Sequence, residues 1–465
     1  MIQLRRSVFY LLLLFIVADT LYSFAQHYTS NLDGDLAESI VPSPMIKEVY
    51  GDPFGIEILK TKTPHSNPNR YFSHAMMSVW FRSVPHFLQK FTTPINSVFA
   101  ACAIFKIIVQ LLILFLLVKY VTQKGASASE TLIAMALVVP MFQIHGYKQY
   151  MGIVDDSTSY VFFYALPLAL LALYYLPVYR TEDFSKPILK NPVWKAFYLL
   201  LAIPVCFSGP LNPGVILVIN LLLGIRILSI KGKFKDKISA SQFFFLFYIS
   251  LLACYSLYIG SFNSMNNLSV GLMERFSKLP AGIGFLISGK LGWPVLLSAT
   301  VFNVFYIKRN LLSAEGAMKW LDRSKWILLF AIIYILLLPF GGYREYRPNV
   351  IRYDTIMPVT LMVIFLFAGT SLYILSQPII SIGKYYLVPL AACLILTLAD
   401  APKFNTNIKQ REAITAITTS TDSVVYLKED YLLLSWQKIK DAEDSKINVE
   451  LLRIWNIEAK PYVND

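Results

Sequence analysis

Apolar residues in this chain are gathered into blocks of about 20, each long enough for a helix to cross a ~30 Å hydrocarbon core, with charged loops between them. Blocks of that kind dictate a polytopic helical membrane protein, because a backbone inside lipid must satisfy its own hydrogen bonds. Composition agrees. Of 465 residues, 56% are hydrophobic and only 15% are charged, where a soluble chain carries roughly a quarter.

The blocks read as eleven spans. The first runs from Ser7 to about Ala25, and the others fall at roughly 95–120, 126–145, 157–178, 195–209, 214–231, 241–262, 291–307, 325–341, 355–376 and 385–400. Ser23-Phe24-Ala25 would serve as a signal-peptidase site, but the length of the apolar run behind the basic Met1–Arg6 favours an uncleaved first span. The fifth and sixth spans are short and meet at Gly209-Pro210-Leu211-Asn212-Pro213-Gly214, a breaker cluster suited to a tight turn or re-entrant pair. Residues 1–400 therefore form the transmembrane domain and 401–465 a small αβ tail.

The net charge of +13 is an orientation signal. With the N-terminus cytoplasmic, the loops on that side hold nineteen basic residues against five acidic ones, so they account for the whole excess. The C-terminus is then extracytoplasmic. No basic helix, zinc-ligand spacing or aromatic RNA-binding pattern accompanies the charge, which excludes a nucleic-acid partner. Cys102, Cys206, Cys254 and Cys393 lie apart within apolar blocks and read as small core residues. The chain has no Walker motif, GxSxG, HExxH or Gly-rich dinucleotide loop, which removes ATP-driven transport within it and conventional hydrolases.

Polar mass concentrates on the outer side. The first outer loop, 26–94, opens with Asn31-Leu32-Asp33-Gly34-Asp35-Leu36-Ala37-Glu38, carboxylates close to the membrane surface that suit a general base or a divalent-metal site. Tyr71 to Phe91 reads as an interfacial helix. The second outer loop carries His145-Gly146-Tyr147-Lys148-Gln149-Tyr150 and then Asp155-Asp156-Ser157-Thr158, where the carboxylates could share a metal, orient a substrate or cap the next helix. Between the ninth and tenth spans, Tyr343, Arg344, Tyr346, Arg347, Arg352 and Tyr353 alternate against the positive-inside bias. Arginine forks grip phosphate oxygens, so a phosphate or pyrophosphate lipid headgroup is the natural partner, with pairing to Glu345, Asp354 or the first-loop carboxylates as the alternative. Arg275, Lys278 and Lys290 flank a semi-apolar stretch, Leu279 to Ser288, and Lys290 could also approach a phosphate. In the tail, Ser423 to Leu427 is β-prone, and Tyr431 to Lys440 and Asn448 to Ile457 look helical.

This layout resembles the GT-C superfamily of integral-membrane glycosyltransferases. The resemblance covers most of the chain as architecture: an N-terminal span, a long first outer loop with early acidic residues and interfacial helices, many further spans and a polar C-terminal segment outside. It implies a sugar donor carried on a polyprenyl phosphate, and a glycan, lipid or protein acceptor activated by a first-loop carboxylate. Asp33 or Asp35 would be that base, its acidic neighbour orienting it or helping to hold a metal. Asp155 and Asp156 match the second outer loop, and the Tyr-Arg loop fits a lipid-phosphate clamp. A divalent ion such as Mg or Mn, if used, would fall to Asp33, Asp35, Asp155 and Asp156, with Glu38, His145 and Lys290 lining the substrate site. The chain departs from the family in carrying DGD where many members have an adjacent acidic pair, so the choice between Asp33 and Asp35 stays open. The implied setting is a bacterial inner membrane and cell-envelope glycan synthesis.

Two rivals compete with this reading. An O-antigen polymerase or ligase would use outer-loop arginines on a lipid pyrophosphate. A transporter or flippase would keep ionisable groups at mid-membrane, for which Asp19, Lys106 and Glu130 are the candidates, though no internal repeat is visible. The orientation is directly testable: alkaline phosphatase fused after Asp465 should be active in a bacterial host, whereas a fusion within 231–237 should be inactive.

Overall fold

Helix starts follow the caps written in the sequence. Thr93 accepts from the Asn96 N–H ahead of Pro94, and Ser43 does the same for Ile46 ahead of Pro44, so each helix begins with its first turn closed. Ser127 and Glu130 form a reciprocal capping box at the start of Ala128–Val138. Glu130, one of the three ionisable residues weighed for transport, is thus a helix-start residue. The structure, a computed structural model, describes all residues except 1–2, 123, 143–152, 182, 267–269, 289–290, 342–348, 379–382, 400–401 and 403, and the side chains of 234 and 235.

The protein is 71% helical, with a single two-stranded sheet among the described residues, and is an all-α membrane protein. Among the described residues, seven helices are long and apolar enough to cross a bilayer: Arg6–Tyr28, Pro94–Val121, Thr158–Arg180, Leu211–Ser229, Ala240–Gly260, Ala317–Phe340 and Tyr353–Leu375. The other four expected spans also fall on helices, but on ones that do not by themselves combine the length and the apolar character of a span. Ala128–Phe142, Pro192–Cys206 and Gly383–Leu398 are shorter, and Gly292–Asn310 qualifies only together with Leu272–Ser288, from which it is bent by 86°. Counting the bent pair gives eight. Proline explains part of the difference: Pro140 lies where Ala128–Val138 tightens into a 3₁₀ turn, and Pro204 sits two residues before the end of Pro192–Cys206.

Burial separates core from periphery. The best apolar window of Tyr353–Leu375 is 78% buried and that of Thr158–Arg180 is 72% buried, against 17% for Arg6–Tyr28, so the first two helices form the centre of the bundle together with Pro94–Val121. Arg6–Tyr28 and the amphipathic helix Tyr71–Leu88 both pack on Pro94–Val121. Tyr71–Leu88 buries Met77 and Phe81 while turning Met76, Val79 and Phe87 outward, the two-sided pattern expected of an interfacial helix. Polar contacts pin Gly292–Asn310 to Tyr353–Leu375, where Asn303 Nδ2 donates to Thr370 Oγ1 at 3.2 Å and Ser371 Oγ at 2.9 Å.

The tail corrects one expectation. Val425–Leu427 (β1) is a strand and Lys446–Ile454 a helix, but Tyr431 to Lys440 is irregular. There Asn464 Nδ2 donates to the carbonyls of Lys428 and Tyr431 at 3.2 Å each, and Leu433 and Leu434 are buried, so long-range bonds and burial displace the helical preference. β1 pairs in parallel with Tyr462–Asn464 (β2), with Val425 opposite Tyr462.

Gly369 marks the tightest helix approach. A Cβ there would lie 2.0 Å from Cη2 of Trp320. Gly369→Val should therefore lower stability by about 1–3 kcal/mol through overpacking, read as a lower melting temperature in detergent.

Candidate active site

The first helix ends at Tyr28, and the chain turns through 31–35 before the short helix Leu36–Ile40. Asp33, 5% exposed, points into this turn. Its Oδ2 accepts from the Ser159 N–H at 3.0 Å, and its Oδ1 accepts from the Ser159 hydroxyl at 2.8 Å and the Asp35 N–H at 3.1 Å. Burial holds the Asp33 carboxyl above the ordinary carboxylate range against those bonds; the Asp35 charge adds to the rise and Lys106 opposes it. Asp35 is half-buried, and its Oδ1 accepts from the Trp436 indole N–H at 2.7 Å. Its Oδ2 has no partner among the described residues. Glu38 is exposed on the following helix.

The second outer loop arrives beside them. Lys106, with no exposed surface, donates from Nζ to the Asp156 carbonyl, and its charge reaches both Asp33 and Asp155. Asp155 Oδ1 accepts from the Ser157 N–H at 2.7 Å, a turn just ahead of the helix rather than a side-chain cap of it, and the Tyr353 hydroxyl also bonds to the carboxylate. Asp155 keeps partial solvent access, yet its depth pushes the carboxyl up to about 7, with Asp156 adding to the rise. Asp156 Oδ1 is buried without a hydrogen-bond partner. One first-loop and one second-loop carboxylate, Asp33 and Asp155, thus both feel the charge of one buried ammonium.

Arg352 reaches this end of the bundle already paired. Its Nε and Nη2 donate to Asp354 Oδ1 and Oδ2, at 2.9 Å each, so the internal pairing posed as the alternative to phosphate binding is present. His145, Lys290, Tyr343, Arg344, Glu345 and Arg347 lie outside the described residues. At the edge of the Tyr-Arg loop, Arg275 donates to the Gly341 carbonyl at 3.3 Å and to that of Val270 at 2.9 Å.

Several site residues carry no sequence signal. Tyr160 has its ring 6.2 Å from Trp436, 6.3 Å from Tyr353 and 5.8 Å from Tyr164, forming an aromatic wall beside Asp35. Val161–Ala165 widens there into a π-helical turn, a distortion common at functional sites. Beyond Tyr164 sits the Arg70 guanidinium, 6.0 Å from that ring and 5.3 Å from Phe163, with Nε buried and unpartnered. His74 is buried against Phe163 with neither ring nitrogen partnered; burial, and then the Arg70 charge, push it down to about 3, so it is neutral. Only the composition of the Tyr71–Phe91 segment, with aromatics, His and isolated basic residues, hinted at this cluster.

The tail closes the turn. Gln410 donates to the Leu32 carbonyl at 2.9 Å and accepts from the Leu32 N–H at 2.7 Å, and it also donates to the Leu432 carbonyl. Gly34 is the residue that permits the approach, since a Cβ there would lie 2.6 Å from Cδ1 and 2.7 Å from the backbone N of Trp436. The DGD spacing therefore has a steric reason: the residue between the aspartates must lack a side chain.

Among the described residues, one group brings three possible metal-ligand atoms within 4.8 Å, Asp52, Glu57 and His65. Asp52 there accepts from the N–H groups of Ile56 and Glu57 and so serves a helix start. No protein-family model matches the chain, and no curated protein is detectably similar to it.

Two outcomes follow from this geometry. Gly34→Leu should displace Trp436 from Asp35, seen as altered tryptophan fluorescence relative to a Trp436→Phe control. For Asp155, a carboxyl raised above its ordinary 3.8 contributes stability that is complete below that value and lost as pH rises through about 7. Asp155→Asn should therefore flatten the fall in melting temperature between pH 4 and pH 8.

Proposed function

We propose that the chain is a GT-C-type membrane glycosyltransferase, moving a sugar from a polyprenyl-phosphate donor to an acceptor hydroxyl with inversion on the outer side. The observation that supports this reading is that Asp33, with Asp35 bonded beside it, and Asp155, with the Tyr353 hydroxyl bonded to it, both lie within the electrostatic reach of Lys106 at one end of an apolar bundle. Eleven membrane crossings, a cytoplasmic N-terminus and an extracytoplasmic tail belong to the same proposal.

Roles divide by exposure. Asp35, half-exposed with one oxygen held by Trp436, acts as the base: it takes the acceptor O–H proton while that oxygen attacks the anomeric carbon. The bond from the anomeric carbon to the phosphate oxygen breaks, and its electron pair leaves with the lipid phosphate. Asp33, buried and triply hydrogen-bonded, is a positioning residue that sets the turn. Arg344 and Arg347 offset the developing phosphate charge, while Arg352 is held by Asp354. A Mg or Mn ion, if one is used, would draw on Asp155 and Asp156.

The test uses the full chain in lipid nanodiscs with a panel of polyprenyl-phosphate sugars. Asp35→Asn should lower kcat by about 10²–10⁴-fold with donor binding retained. Asp33→Asn should lower both turnover and melting temperature. Normal transfer by Asp35→Asn would remove it as the base, and normal transfer by both variants would overturn the reading.

A further inference from the structure

A cavity of about 680 Å³ lies at the other end of the bundle, bounded by Pro94–Val121, Thr158–Arg180, Leu211–Ser229, Ala317–Leu337 and Tyr353–Leu375. Its walls are apolar, with Leu116, Leu171, Leu222, Phe330 and Phe365 among them, whereas its mouth carries Arg226, Lys319, Asp322 and Arg323. The tyrosine hydroxyls on the wall are used within the protein. Tyr120 donates to the Ala172 carbonyl, Tyr179 to the Tyr120 carbonyl and Tyr175 to Asn220 Oδ1.

We infer that this cavity binds an anionic phospholipid of the adjacent leaflet, with one acyl chain inside and the phosphate against Arg226, Lys319 and Arg323. Depth is the first argument. The lining runs from Met318 to Phe330 on one helix and from Leu168 to Val178 on another, ~15–18 Å at the helical rise and half of a ~30 Å hydrocarbon core. That is the reach of an acyl chain in one leaflet and too short for a long polyprenyl chain. Charge is the second argument: among the described residues the mouth is lined by Arg226, Lys319 and Arg323 together with Asp322. The Arg226–Asp322 pair, 3.1 Å apart, is about half exposed on both sides, so a phosphate can exchange into it at little cost. Arg323 lies 4.6 Å from the Trp320 ring and 4.9 Å from that of Tyr179, an aromatic setting typical of headgroup depth. The site uses no residue of the carboxylate cluster and stands whether or not the chain transfers sugar.

The experiment purifies the full chain in mild detergent from vesicles of equal parts phosphatidylcholine and phosphatidylglycerol, then quantifies retained lipid by mass spectrometry. Phosphatidylglycerol should be enriched on the order of five- to thirty-fold, the range that one to two Lys or Arg contacts give at a headgroup. Arg226→Gln with Arg323→Gln should return the ratio to that of the vesicles, and Asp322→Asn, which removes only the acidic member of the mouth, should raise it. Leu222→Trp, filling the cavity, should lower retention of both lipids. A vesicle-like ratio in the unmodified chain, an enrichment that survives the double substitution, or selective retention of added polyprenyl phosphate in place of phospholipid would each overturn the inference.

Discussion

An ammonium with no exposed surface in a long apolar helix must be compensated, and Lys106 sets this requirement for the whole outer end of the bundle. Its hydrogen bond goes to the Asp156 carbonyl, and the charges that answer it come from separate parts of the chain, the Asp33 turn and Asp155 of the second outer loop. Removing the lysine would take from Asp33 and from Asp155 the one positive charge that opposes the rise of each carboxyl. The cluster is thus a structural unit before it is a chemical one.

The unit is held from outside the bundle as well. Trp436 and Gln410, both in the tail, fasten the turn that presents Asp35, while Asn407 donates to the Tyr28 carbonyl and Trp455 to that of Phe81. A segment that composition marks only as polar and charge-balanced therefore sets the pose of the most accessible carboxylate. The π-helical turn at Val161–Ala165 acts on the opposite wall, directing Tyr160 and Tyr164 along the path from Trp436 to Arg70.

The apolar blocks, the caps and the acidic turns were legible because each is local: a run of some length, a Ser or Thr before Pro, a DGD triplet. Span number was less legible, since an apolar block of span length and a shorter or bent helix have nearly the same composition, as Pro192–Cys206 and Gly292–Asn310 show. Lys106 stood out in sequence as an intramembrane charge and read as a transport candidate, because Asp33 and Asp155, the carboxylates that its charge reaches, are distant from it in the chain. Arg70, Tyr160 and Trp436 left no signal, and His74 only the composition of its segment, because their roles arise from tertiary approach. The loss of helix at Tyr431 to Lys440 has the same origin, in bonds from Asn464 and the burial of Leu433 and Leu434.

The contact of Gly34 with Trp436 also bears on the order in which the molecule is completed. A chain emerges from its N-terminal end first, so the aspartate turn is made early while its clamp comes after the last apolar helix. During insertion the turn stays open and its carboxylates lack their final geometry. The site closes when the tail folds back over it, making the C-terminal segment the last part of the site to be installed.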